Sequence, residues 1–168
     1  MLVTCDVDGV ICNGAYTPRD IRTPGYYLGL EPVPDAAKWL TKLTQAGVDI
    51  EYITSRSYRG AYDSTIQWMR ARGIPTGKAL HVGVAAWEKP QLSQKLYAEF
   101  HIDDNPLTNL ILYKYVSSVS PMMFLDKSYN DGKNPWADPY GIEDKMRKIG
   151  MVFGNWETMG KFLLEGVY

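Results

Sequence analysis

Two carboxylates stand two positions apart where an apolar segment near the start of the chain meets a glycine. Residues 2–10 read LVTCDVDGV, so Asp6 and Asp8 flank a valine and precede Gly9. Side chains at positions i and i+2 of an extended chain point the same way, which brings these carboxylates together at the end of a predicted strand. Two like charges so close require a cation or a shared proton. Calcium loops and turns also use Asp-x-Asp-Gly, so other residues must decide between these uses.

A second acidic pair follows a second strand-like segment. Residues 100–102 (FHI) predict a strand that ends at Asp103 and Asp104. In a parallel α/β sheet the carboxyl ends of the strands lie at one edge, and ligands bind there. Carboxylate oxygens favour a hard cation such as Mg²⁺ over zinc. The predicted magnesium ligands are Asp6, Asp8, Asp103 and Asp104.

Groups able to bind a phosphate accompany the four carboxylates. Thr54 follows a predicted strand at residues 48–53, and Lys89 lies on a predicted helix at residues 87–98. A magnesium ion held by a few carboxylates keeps positions for phosphate oxygens, and a hydroxyl and a lysine can bind the rest of that anion. The pattern therefore indicates phosphoryl chemistry.

The residues that follow Thr54 leave alternatives open. Ser55 and Arg56 are further candidates for binding the phosphate. Arg56 could instead support the loop by pairing with Asp103 or Asp104, since a guanidinium binds a carboxylate as readily as a phosphate.

Two alternatives concern helices. Thr54 or Ser57 could simply cap the helix that follows, because hydroxyls often cap helices. Lys95 lies on the same predicted helix as Lys89, six residues further on. Residues at that spacing cannot face the sheet edge equally well, so only one of them is the predicted catalytic lysine, and we favour Lys89.

Strand-like segments alternate with helical patterns along the chain, which predicts an α/β fold with a parallel sheet covered by helices on both faces. We expect a single domain over residues 1–168, with an irregular flap at about 12–32 and a polar insertion at about 127–141. The apolar stripes of the two clearest helices are Ala36, Leu40 and Leu43 in the first, and Tyr62, Ile66 and Met69 in the second.

Composition excludes some function classes. The 168 residues carry a net charge of −1, so no basic field points to nucleic acid or membrane as a partner. No apolar run approaches a membrane span and no basic leader precedes Leu2, so we expect a cytoplasmic protein. Cys5 and Cys12 lack the spacing of a structural zinc site and are expected to be reduced, packed thiols. His81 and His101 fall inside strand-like segments and are expected to be structural.

The order of these groups resembles the signature of the haloacid dehalogenase superfamily: Asp6-Val7-Asp8-Gly9-Val10, then Thr54, Lys89 and Asp103-Asp104. Residues 123–130 (MFLDKSYN) and 155–157 (NWE) are similar to the end of the type C 5'-nucleotidase and deoxyribonucleotidase branch. The resemblance implies a Rossmann-like sheet and Mg²⁺-dependent hydrolysis of phosphomonoesters through a phosphoaspartate.

The resemblance also implies a role for each matching residue. Asp6 would attack phosphorus and ligate Mg²⁺ with its second oxygen. Asp8 would protonate the leaving oxygen and then deprotonate the attacking water, while its backbone carbonyl faces the metal. Asp103 would ligate Mg²⁺ directly, and Asp104 would act through water or by orienting the loop. The implied phosphate-binding residues are Thr54, as a hydrogen-bond donor, and Lys89, as the neutralising charge.

The room left for a cap domain bears on the size of the substrate. Relatives that act on small metabolites often carry a cap domain after the first or second motif, and this chain has little room for one, so we expect an open site roofed by the flap, the insertion or a partner subunit of a homo-oligomer. A free nucleotide ranks first. Nucleic acid with a 3'-phosphate end is the alternative, supported by a cluster of basic residues: Arg56, Arg59, Arg70, Arg72 and Lys78.

A non-catalytic module that accepts a phosphoryl group or binds an anion is an alternative from another class. Receivers of this kind begin with an adjacent acidic pair, whereas this chain begins with Asp-x-Asp and carries the adjacent pair last. The order of the motifs therefore favours an enzyme.

Overall fold

Six parallel strands form one sheet in the part of the chain that the computed structural model describes, which is residues 1–14, 23–125, 148 and 152–165. The strands are β1 (Leu2–Asp6), β2 (Asp49–Ile53), β3 (Ala79–His81), β4 (Phe100–Asp103), β5 (Ser120–Phe124) and β6 (Val152–Gly154). The helices are α1 (Pro24–Leu28), α2 (Ala36–Gln45), α3 (Ala61–Ala71), α4 (Lys89–Lys95), α5 (Pro106–Tyr115) and α6 (Trp156–Glu165). The predicted α/β fold is confirmed.

The strands follow the order β3-β2-β1-β4-β5-β6, and each neighbouring pair is parallel. The chain moves outward through β1, β2 and β3 and then returns to the other side of β1. Connections of the usual right-handed sense therefore place α2 and α3 on one face of the sheet and α4 and α5 on the other. β1 lies at the centre, where its Val3 and Cys5 are fully buried.

The apolar stripe predicted for α2 is confirmed, because Ala36, Leu40 and Leu43 are all fully buried. The stripe predicted for α3 is confirmed only in part, because Met69 is fully buried and Ile66 packs against the core but Tyr62 does not. Tyr62 is 50% exposed, whereas Trp68 is fully buried. The buried face of α3 begins one residue earlier than predicted, and its members are Ala61, Ser64, Thr65, Trp68 and Met69. Two of those are hydroxyl residues, which a purely apolar pattern does not count.

The predicted flap contains a short helix that the sequence analysis did not predict. α1 starts after Thr23, whose hydroxyl accepts a hydrogen bond from the Tyr26 amide at 3.2 Å, and Pro24 occupies its first turn. A threonine cap followed by proline is a recognised start signal for a helix. The remainder of the flap at 15–22 and the predicted insertion at 127–141 lie outside the described residues.

The described residues that connect the strands contain no cap domain. Each helix in the described ranges is too short or too polar to span a bilayer. Cys5 and Cys12 are buried thiols that form no disulfide, as predicted.

Candidate active site

Three strands deliver the predicted polar residues to one edge of the sheet. Asp6 is the last residue of β1 and pairs in register with Ile53, the last residue of β2, after which Thr54 follows. Asp103 ends β4 on the other side of β1. In α/β folds, ligands bind at the edge of the sheet where the carboxyl ends of the parallel strands meet.

Lys89 joins the two motifs that end β1 and β4. Its Nζ lies 2.8 Å from Asp6 Oδ2 and 2.9 Å from Asp103 Oδ2, and the side chain is buried. Burial alone would lower the pKa of Lys89, but the two carboxylates more than offset this and hold that pKa above its usual range. Lys95 is exposed at the other end of α4. The structure thus brings Lys89, and not Lys95, to the sheet edge.

Asp6, Asp103 and Asp104 form a buried acidic cluster in which one oxygen of each lies within 4.8 Å of the others. Burial raises the pKa of Asp104 well above its usual range, and the neighbouring carboxylates raise it further. Burial likewise raises the pKa of Asp6, although Lys89 opposes that shift. Three buried carboxylates face a single lysine, so the cluster lacks positive charge. All-oxygen donors with this deficit fit Mg²⁺.

The Asp103 carboxylate is held by several donors besides Lys89. The Asn105 amide donates to Oδ1 at 2.7 Å, and His101 Nε2 lies 3.1 Å from Oδ2. Burial opposes ionisation, but Lys89 and His101 keep the pKa of Asp103 below its usual range. Asp103 is therefore held in place as a carboxylate, and its role as a magnesium ligand stays a prediction.

His101 is expected from the sequence to be structural, but the structure places it in contact with Asp103. His101 is fully buried, and its Nδ1 lies 2.9 Å from Thr4 Oγ1 and 3.2 Å from Ser93 Oγ. Burial lowers the pKa of His101, which keeps the ring neutral. A signal was available, because positions 101 and 103 of one strand share a face.

Asp8 points to a different partner from Asp6. Arg56 Nη2 donates to Asp8 Oδ1 at 2.7 Å and Nε donates to Oδ2 at 2.9 Å, which makes a two-pronged ion pair. Thr54 Oγ1 also donates to Asp8 Oδ2 at 3.3 Å. The Asp8 carboxylate therefore lies outside the buried acidic cluster, and metal binding by its backbone carbonyl stays a prediction.

One of the two alternatives for the loop after β2, the pairing of Arg56 with Asp103 or Asp104, is wrong, whereas phosphate binding by Ser55 and Arg56 stays a prediction. Arg56 pairs with Asp8 rather than with the acidic pair after β4, and its side chain is buried, whereas Ser55 is exposed. The capping alternative for Thr54 or Ser57 is wrong, because the N-cap of α3 is Gly60, which has no side chain.

The last helix is tied to the first motif. Trp156 Nε1 donates to the Val10 carbonyl at 2.8 Å, and the ring is almost fully buried. Asn155 caps the same helix, its Oδ1 accepting from the Thr158 amide at 3.2 Å. The tail segment at 155–157 therefore supports the loop that carries Asp8 and Gly9.

The similarity of this chain to known proteins lies in the fold. No protein-family profile matches the sequence, and no curated protein matches it. A solved D,D-heptose 1,7-bisphosphate phosphatase from B. bronchiseptica, complexed with magnesium and phosphate, is similar with a TM-score of 0.59 at 12% identity, over 99% of both chains. A cobalt-bound deoxy-D-mannose-octulosonate 8-phosphate phosphatase from Haemophilus influenzae is similar with a TM-score of 0.57 at 13% identity, over 98% of this chain and 86% of that one.

A chain of the Pnkp1/Rnl/Hen1 complex is also similar, with a TM-score of 0.58 at 16% identity, over 73% of this chain and 45% of that one. These likenesses confirm the Rossmann-like fold that the resemblance to haloacid dehalogenase phosphatases implied.

Proposed function

We propose that the chain is a Mg²⁺-dependent phosphomonoesterase that works through an aspartyl-phosphate on Asp6, with a free nucleotide as its substrate. The observation that carries the proposal is the position of Lys89, whose Nζ contacts both Asp6 and Asp103 beside a third buried carboxylate. A lone lysine among three carboxylates leaves a net negative site that a divalent cation and a phosphoryl group can complete.

In the first step an Asp6 oxygen forms a bond to phosphorus, the bond from phosphorus to the leaving oxygen breaks, and Asp8 gives that oxygen a proton. In the second step Asp8 takes a proton from water, the water oxygen bonds to phosphorus, and Asp6 is released. Lys89 neutralises charge on the phosphoryl group throughout, and Thr54 donates to one of its oxygens. When bound by Asp6, Asp103 and Asp104, Mg²⁺ supplies Lewis-acid stabilisation of that charge.

Support for a nucleotide comes from the tail of the chain. The tail segment that is similar to type C nucleotidases packs onto the loop after β1 through Trp156. Access to the sheet edge is not narrowed by a cap domain among the described residues. Aromatic side chains in loops can stack on a base, and the sequence offers Tyr16, Tyr26, Tyr27 and Trp136 as candidates. Of these, Tyr27 is unavailable because it is only 3% exposed. Tyr16 and Trp136 lie outside the described residues.

A nucleic-acid end is the second candidate, supported by the fold likeness to a chain of an RNA repair complex. Most of the basic residues that support this alternative already pair with acidic residues of the protein. Arg56 is buried on Asp8, Arg72 lies 3.9 Å from Glu31, and Lys78 pairs with Asp49 at 2.6 Å. This argues for the free nucleotide.

The test is phosphate release from a panel of nucleoside 5'- and 3'-monophosphates, sugar phosphates and oligonucleotides that end in 3'-phosphate. We expect Mg²⁺-dependent release, best from a mononucleotide, that EDTA and Asp6→Asn abolish. Preference for the oligonucleotide would replace the substrate assignment, and activity in Asp6→Asn would contradict the covalent mechanism. Transfer of ³²P to the wild-type protein and not to Asp6→Asn provides a direct check.

A further inference from the structure

Arg56 is fully engaged by groups of the protein. Besides the hydrogen bonds from Arg56 to Asp8, Nη1 of Arg56 donates to Thr65 Oγ1 at 3.0 Å and Nη2 lies 3.2 Å from Cys12 Sγ. Arg56 is only 3% exposed, and its guanidinium carbon lies 4.1 Å from the ring centroid of Tyr27. Binding a substrate phosphate would require Arg56 to leave these partners. Its place in the structure is to hold Asp8.

The Tyr27 ring is itself fixed. It is 3% exposed and stacks on Tyr58, with ring centroids 5.0 Å apart and planes 7° from parallel. The Tyr58 hydroxyl lies 2.7 Å from Ser64 Oγ on α3. A buried cation over an aromatic face is attracted more strongly than an exposed one, so this stack restricts where the guanidinium can lie.

The segment that carries Tyr27 is anchored to α3. Trp68 Nε1 donates to the Leu30 carbonyl at 2.7 Å, and Trp68 is fully buried. Val33 closes the segment by donating its amide to the Ile11 carbonyl at 2.9 Å. The path from the flap to the first motif therefore consists of packed groups with little room to shift.

We propose that Tyr27 is a positioning residue for Asp8 and acts through Arg56. The inference rests on the proposed function, in which Asp8 gives its proton to the leaving oxygen as the bond from Asp6 to phosphorus forms and the bond to that oxygen breaks. Without the ring, the guanidinium can tilt and carry the Asp8 carboxyl away from the leaving oxygen. A small misplacement of a proton donor is costly in rate.

The experiment compares two aryl phosphates whose leaving groups differ in basicity. Phenyl phosphate releases a strongly basic phenolate and needs the proton, whereas 2,4-dinitrophenyl phosphate releases a weakly basic phenolate and does not. Single-turnover release of each phenol reports the first step alone. For Tyr27→Leu we expect the rate with phenyl phosphate to fall about 10-fold to 100-fold more than the rate with dinitrophenyl phosphate.

Matched variants separate positioning from folding. Tyr27→Phe keeps the aromatic face and should stay near the wild-type ratio of the two rates. Tyr58→Leu should change that ratio in the same direction but less, and it tests the proposal if Tyr27→Leu does not fold. Tyr62→Leu, at a half-exposed tyrosine on α3, should leave the ratio unchanged.

Equal loss with both substrates in Tyr27→Leu and in Tyr58→Leu would overturn the inference and leave the proposed function intact. A wild-type protein that releases neither phenol in the presence of Mg²⁺ would instead overturn the proposed function, and the inference with it.

Discussion

Gly9 lies so close to Asp104 that a Cβ at position 9 would overlap the Asp104 carboxylate. Gly9 also has a φ of +94°, a conformation that residues with a side chain rarely adopt. Gly9→Ala should therefore displace Asp104 from the buried acidic cluster. We expect Mg²⁺ affinity, measured by isothermal titration calorimetry, to fall by about 10-fold or more.

Gly47→Ala is the control for backbone strain. Gly47 has a φ of +83°, but a Cβ there would meet nothing within 4 Å. This variant should lose stability without losing Mg²⁺ affinity. If both variants weaken Mg²⁺ binding equally, the close approach of Gly9 to Asp104 does not serve the metal site.

Lys89→Met should impair both stability and catalysis. It removes the cation that contacts Asp6 and Asp103 and leaves two buried carboxylates without it, a change that costs about 3 kcal/mol or more in similar buried pairs. Phosphate release should fall at least about 100-fold, because the charge on the transferring group is no longer neutralised. Urea unfolding in EDTA and a phosphate assay in Mg²⁺ measure the two effects.

Lys95→Met is the matched control on the same helix, since Lys95 is exposed. Its free energy of unfolding and its activity should stay near those of the wild type. A similar loss of stability and activity in Lys95→Met would show that these effects come from changes to helix α4 as a whole and not from removal of the Lys89 amine.

The chain positions of the site residues were predictable, and their partners were not. A strand that ends in a carboxylate can be found in one sequence, because alternation and strand ends are local features. The pairing of Asp8 with Arg56 depends on which side-chain rotamers the packed loop allows. Neighbours that are distant in the sequence, such as Tyr27 and Thr65, restrict the rotamer of Arg56. The same holds for His101, whose role depends on residues of β1 and α4.

The stability of the metal-free protein should depend on pH through the buried carboxylates. Burial raises the pKa values of Asp6 and Asp104 above their unfolded values, so these groups stabilise the fold at low pH and lose that contribution as the pH rises through the raised values. The lowered pKa of Asp103 has the opposite sign, but both states of Asp103 are ionised above about pH 5.

The lowered pKa of buried His101 also has the opposite sign, but His101 is neutral in both states above about pH 7. In EDTA, the midpoint temperature of thermal unfolding should therefore be lower at about pH 8 than at about pH 7. Added Mg²⁺ should raise it more at the higher pH, because the cation competes with protons for the same carboxylates. A stabilisation by Mg²⁺ that is independent of pH would show that the cation binds elsewhere.

His101→Leu should weaken Mg²⁺ binding without greatly changing the KM for substrate. The variant removes the group 3.1 Å from Asp103 Oδ2 and breaks its link to Thr4 and Ser93. Groups that orient a metal ligand in this way contribute about 10-fold to 100-fold in affinity. His101→Gln, which can still donate to Asp103, should recover part of the loss.

His81→Leu is the control, because His81 bonds to Glu51 on β2 at 2.8 Å instead of to the site. It should lower stability alone. Calorimetric titration with Mg²⁺ distinguishes the variants, and equal Mg²⁺ affinities in His101→Leu and His81→Leu would contradict the prediction.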